Sequence, residues 1–222
     1  MDLFHFDWKT VPFRLIAFVI AFTLHEWAHA FVAWKLGDNT AKSEGRLTLN
    51  PIPHIDPFGL ILILFGPFGW AKPVPINPLH FRGNKRLGIV YVSVAGPIIN
   101  FILSILFYIG YILVQYSGVL VGMNEKAAFA IEVTLEFSII INAALFVFNL
   151  LPIPPLDGYK ILRFLSPRSW DAKYYHYEVY GPWILLLLIF IPGVSSIIFG
   201  IPLAFVRIWI EQIAVNILSV FI

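Results

Sequence analysis

Apolar positions in this chain fall into long blocks with little period of their own. Residues 13–34, 87–114, 127–151 and 181–206 each reach the roughly 20 apolar residues a helix needs to cross a bilayer. The second block carries no charge between Gly88 and Gln115, and the third confines Glu132 and Glu136 to its first half. The fourth is interrupted by Pro192-Gly193 and by Pro202. The tail 207–222 begins with Arg207 and Glu211 and is expected on the membrane surface. Four spans are expected, or five if Pro192-Gly193 is a turn.

Between the first two spans, the apolar run 60–70 is too short to cross as a helix and reads as a re-entrant segment. Pro73, Pro75 and Pro78 then forbid a helix over 71–78 and favour an extended edge strand or hairpin. Backbone of that kind survives at membrane depth only in protein or beside a water-filled cavity, so a cavity is expected there. The pattern predicts an all-α polytopic membrane protein with one membrane-embedded domain over residues 1–222. Its core would be 13–163, with C-terminal helices in 181–222.

Composition agrees. Of 222 residues 59% are hydrophobic and 13% charged, whereas soluble domains run near half apolar and about a quarter charged. Mean hydropathy is +0.82. A net charge of +2 on so apolar a chain gives no case for nucleic acid. The lipid bilayer is the expected surrounding, and with no cysteine any metal must be held by His, Asp or Glu.

Basic residues orient the chain. The loop 35–86 holds Lys35, Lys42, Arg46, Lys72, Arg82, Lys85 and Arg86, and the loop after the third span holds Lys160, Arg163, Arg168 and Lys173. Lys9, Arg14, Lys126 and Arg207 fall on the other side. Both loops are therefore expected in the cytoplasm and the N-terminus outside, in a multi-pass protein of the cell membrane. Ala28-His29-Ala30 mimics a signal-cleavage site, but Asp2 and Asp7 leave no clearly positive region before the apolar block.

The first span carries the chemistry. His25-Glu26-Trp27-Ala28-His29 is an H-E-x-x-H sequence, whose histidines share one helix face and can bind one metal ion. Glu26 is close enough to hold a water on that metal and take its proton. The alternative is a polar cluster that only bonds neighbouring helices. A catalytic zinc usually takes three protein ligands, and Asp157, in Asn149-Leu150-Leu151-Pro152-Ile153-Pro154-Pro155-Leu156-Asp157-Gly158, is the strongest candidate for the third. A helix-capping Asp at the membrane surface is its other reading.

These two motifs, H-E-x-x-H and N-x-x-P-x-x-x-L-D-G on separate spans, resemble the site-2 protease family of intramembrane zinc metalloproteases. Gly69-Trp70-Ala71-Lys72-Pro73-Val74-Pro75-Ile76-Asn77-Pro78 and Ala95-Gly96-Pro97-Ile98-Ile99-Asn100 are also similar to its small bacterial members. The resemblance covers roughly residues 16–163, and 115–126 is too short to hold a PDZ-like insert. It implies one zinc ion per chain, on His25, His29 and Asp157, with Glu26 as catalytic acid and base. Asn149 matches the residue that steadies the substrate carbonyl or its oxyanion; an interhelical hydrogen bond is the other reading. The segment 70–78 matches a membrane re-entrant hairpin, whose Lys72, Pro73, Val74, Pro75 and Ile76 would pair with substrate by strand addition or else plug the cavity. His54 matches a segment beside the site and would contact substrate, carry protons or, paired with Asp56, fix a loop. The implied partners are transmembrane helices of other membrane proteins, unwound locally before cleavage.

Two other functions stand against proteolysis. A transporter would use the intramembrane His and Glu to relay protons or bind cations, and would need no Asp157 opposite the histidines. A silent chaperone would bind membrane helices through the hairpin, which the intact set of zinc-site residues argues against.

Overall fold

A computed structural model describes residues 7–65 and 69–220. It contains nine α-helices among those residues: α1 (Val11–Lys35), α2 (Thr40–Ser43), α3 (Pro57–Phe65), α4 (Lys85–Tyr116), α5 (Glu125–Asn149), α6 (Asp157–Leu165), α7 (Asp171–Phe190), α8 (Pro192–Ser195) and α9 (Ile201–Leu218). Four helical stretches are long and apolar enough to cross a membrane: Val11–Lys35, Lys85–Tyr116, Glu125–Asn149 and Gly193–Leu218. The protein is an all-α polytopic membrane protein.

Local chemistry sets the helix starts. Asn84 Oδ1 accepts from the Arg86 and Leu87 amides at 3.1 and 3.2 Å, satisfying two orphan donors of α4. Asn124 does the same for α5 through the Lys126 amide. Pro12 sits in the first turn of α1, where its missing N–H costs nothing.

Packing follows membrane rules. Lipid is as apolar as Leu, so helix association depends on close approach and small residues. Ala17 and Ala21 of α1 are fully buried against Val133, Phe137 and Ile141 of α5. Ala143 and Val147 of α5 meet Val206 and Ile210 of α9, with Phe101 and Ile105 of α4 beside them.

The C-terminal third departs from expectation. The fourth stretch is not 181–206: Pro192, which lacks a donor, ends α7, and the chain re-forms as Gly193–Leu218 through a π-helical turn at Ser196–Gly200. Residues 207–218 therefore belong to a helix packed on the bundle, not to a surface tail. Val206, Ile210 and Ala214 make a buried stripe at four-residue spacing, and Arg207 and Glu211 lie on the adjacent exposed face.

Among the described residues, the segment between α1 and α4 carries no ladder. Ile55 and Ala71 form one isolated antiparallel bridge, closing the chain on itself across α3. Pro73 and Pro75 supply no donors, so the expected hairpin is reduced to this bridge and an extended run to Asn77. Residues 66–68 of the expected re-entrant run lie outside the described residues.

Candidate metal centre

His25, Glu26 and His29 lie within two turns of α1, and all three are buried. The imidazoles stand edge to face with centroids 4.6 Å apart. Asp157 comes from the opposite side, as the first residue of α6. Leu156, not Asp157, occupies the N-cap, so the capping role weighed for Asp157 does not apply. Gly158 allows this approach: a Cβ there would lie 2.2 Å from the Leu150 carbonyl oxygen.

Hydrogen bonds fix both ring tautomers. Asn100 Nδ2 donates to the Ala21 carbonyl at 3.2 Å and to Asn142 Oδ1 at 2.8 Å. Asn142 in turn donates to the Ser138 carbonyl. This network turns Asn100 Oδ1 toward His25, whose Nδ1–H donates to it at 2.6 Å. His29 Nδ1–H donates to the Val92 carbonyl, also at 2.6 Å. Each neutral ring has spent its proton on the far side, leaving Nε2 a bare lone pair.

Those lone pairs converge on a carboxylate. The two Nε2 atoms are 3.0 Å apart, and Asp157 Oδ2 is 3.3 Å from His25 Nε2 and 3.0 Å from His29 Nε2. One proton would satisfy at most one of these contacts; a divalent cation meets all three. His25, His29 and Asp157 form a group able to hold a metal ion, and two imidazoles with one carboxylate suit zinc. Asp157 is buried, and Lys160 Nζ donates to its Oδ1 at 2.9 Å, a charge-assisted bond that favours the ionised carboxylate.

Glu26 faces the extended segment. Its Oε2 accepts from the Val74 amide at 2.9 Å. Two further anchors hold the same segment. The Asn77 amide donates to fully buried Asp38 at 2.7 Å, and Arg46 Nη2 donates to the Lys72 carbonyl at 2.6 Å. The Lys72 amide donates to the His54 carbonyl. Val74 packs inward on Ala30 and Ala41, while Lys72 and Pro73 are exposed and Pro75 and Ile76 half-buried.

Asn149 and His54 make no hydrogen bond to His25, Glu26, His29 or Asp157 among the described residues. Asn149 is the last residue of α5, with one amide hydrogen given to the Leu145 carbonyl at 3.1 Å. His54 is 1% exposed and does not pair with Asp56: its Nε2–H donates to the Thr48 carbonyl, and Asp56 caps α3 through the Phe58 and Gly59 amides. Beside the extended segment lies a gap of about 10 Å³, lined by His54, Trp70 and Ala71 against Phe18 and Phe22. A larger cavity, about 650 Å³, opens between Arg86 and Ile89 of α4, Pro154, and Tyr159, Lys160 and Phe164 of α6.

Sequence reasoning missed the supporting residues. Asn100 and Gly96 fall in the Ala95–Asn100 stretch quoted for its resemblance, which gave them no role. Val92 acts through its carbonyl and leaves no side-chain signal. Asp38, Arg46 and Lys160 read as ordinary loop charges until the fold brings them to the site.

The model of Peptidase family M50 matches residues 13–189. The Bacillus subtilis (strain 168) protein YwhC, named as a zinc metalloprotease, is 47% identical over 199 residues, covering 88% of each chain. Rip2 of Mycolicibacterium smegmatis (strain ATCC 700084 / mc(2)155), named likewise, is 30% identical over 164 residues, 71% of this chain and 59% of its own length. Rip2 of Mycobacterium tuberculosis (strain ATCC 25618 / H37Rv) is 29% identical over 191 residues, 84% of this chain and 70% of its own. No solved structure gives a significant match. With its buried His-His-Asp group inside a bundle of membrane-spanning helices, the chain belongs to peptidase family M50, the site-2 protease family, as a membrane zinc metalloprotease.

Proposed function

We propose that this protease cleaves peptide bonds within or near transmembrane helices of other membrane proteins, with zinc held by His25, His29 and Asp157. The observation that carries the reading is the meeting of both bare Nε2 atoms with Asp157 Oδ2 inside the helix bundle. A transporter has no need of that carboxylate. Zinc supplies Lewis acidity, polarising the carbonyl and lowering the pKa of water toward neutrality. Glu26 takes the proton of the attacking water and returns it to the leaving amine. Asn149, with one amide hydrogen beyond its Leu145 bond, steadies the developing oxyanion. His54 acts indirectly, its backbone and ring tying the loop under Lys72.

Substrate pairs with the segment 72–76 in extended form. Pro73 and Pro75 have no N–H, and the Lys72 and Val74 donors are taken by this chain. Among the described residues no hydrogen bond reaches the carbonyls of Pro73, Val74 or Pro75. That leaves an edge rich in acceptors, matched to the free N–H groups of an unwound helix. Pro73 and Lys72 meet substrate with their side chains, whereas Val74 sets the register from within.

The test is purified protein in bilayers with single-span substrates, with products mapped by mass spectrometry. Cleavage inside the span, abolished by chelator and restored by zinc, is expected. Cleavage confined to soluble peptides would refute the intramembrane reading.

A further inference from the structure

Asp157 divides its two oxygens. Oδ2 faces both histidines, and Oδ1 accepts from Lys160 Nζ at 2.9 Å. Lys160 lies three residues on, one turn along α6, so the helix itself brings ammonium and carboxylate together. Its side chain is 46% exposed while the Asp157 side chain is 6% exposed. As a surface pair this would contribute little to stability. Its position gives it another use.

We infer that Lys160 is a positioning residue that restricts Asp157 to one ligating oxygen. A carboxylate beside a cation can bind through one oxygen or both, and nothing else in the described structure engages Oδ1. With Oδ1 held by the ammonium, Asp157 would offer a bound metal one donor atom and leave room for water and a substrate carbonyl. Without that bond, Oδ1 would be free to serve as a second donor. The ammonium also draws charge from the carboxylate, which leaves the metal a stronger Lewis acid. Lys160 lines the 650 Å³ cavity, so a substituted side chain at this position has room.

The inference rests on the ligand set proposed above, and cobalt(II) tests the two separately. In cobalt-loaded protein, visible absorption is strong at four-coordinate sites and weakens as a fifth donor binds. Lys160→Met should weaken the band and lower kcat/KM about 10- to 100-fold, the usual effect of losing an outer-shell partner, with the fall in kcat and metal retained. Lys160→Arg, which restores a cationic donor to Oδ1, should recover both. A Lys160→Met protein with the wild-type spectrum and kcat/KM would overturn the inference. His25→Ala that keeps the wild-type cobalt spectrum would instead overturn the ligand set itself.

Discussion

A methyl group at position 96 would stand 2.5 Å from both His25 Cε1 and His29 Nε2. Neither ring can move aside, because each is held through Nδ1 by α4 itself, at Asn100 and at the Val92 carbonyl. Overpacking of this kind costs about 1–3 kcal/mol where neighbours can adjust. Here the strain falls on the two imidazoles, so Gly96→Ala should fold yet lose zinc, with affinity down at least about 10-fold as for other losses of ligand orientation. Dialysis against a zinc buffer, followed by metal analysis, checks this. Its contrast with the histidines marks what a sequence can carry. The spacing of His25 and His29 dictates a shared face on any helix, and Asp157 stands out as a carboxylate in an apolar run. Gly96 and Asn100 act through distances between separate helices, which no local spacing encodes.

The run from Ala71 to Asn77 shows the same division at the level of an element. Three prolines announce an extended chain, but not what holds it. Asp38 does so from the end of α1, accepting from the amides of Asn77 and Thr40, the Thr40 hydroxyl and His80 Nδ1. Burial pushes the Asp38 carboxyl up, yet the Thr40, Asn77 and His80 bonds outweigh it and hold the group below its usual 3.8. A carboxyl depressed in the folded state stabilises it above the unfolded value and loses that contribution as pH falls through the folded one. The anchor should therefore be intact at neutral pH and fail only in acid, below pH 3.8. Hydrogen exchange of the Val74 and Asn77 amides, corrected for intrinsic rates, should show constant protection from pH 5 upward. Asp38→Asn offers one acceptor and an opposed donor, and should cost this anchor about 2 kcal/mol at neutral pH, a difference that fades as the wild-type carboxyl protonates in acid. Unchanged protection in that variant would show that Arg46 and Glu26 suffice to hold the segment.

For the molecule as a whole, charge and aromatic residues at one end of α1 bear on orientation. Trp27 stacks on Phe31, and Lys35 and Lys42 lie 4.8 and 5.0 Å over Trp34, an arrangement suited to the headgroup zone. With basic residues gathered in 35–86 and 160–173, these loops should face the cytoplasm. A single cysteine at position 85 of this thiol-free chain should label only from that side. The apolar blocks predicted the first three spans to within about two residues at each end, because lipid demands a continuous run there. The C-terminal span was harder to read, since Arg207 and Glu211 are tolerated on the exposed face of α9 and local hydropathy hides the stripe of Val206, Ile210 and Ala214. A membrane-buried zinc site, with Glu26 as its proposed proton carrier, joins these scales. Glu26→Gln protein reconstituted with a single-span substrate, its zinc measured in the same sample, puts that role to the test. One zinc per chain with no cleavage product is the predicted result; turnover within about twofold of wild type, on a scale where losing a general base costs about 10²–10⁴-fold, would contradict it.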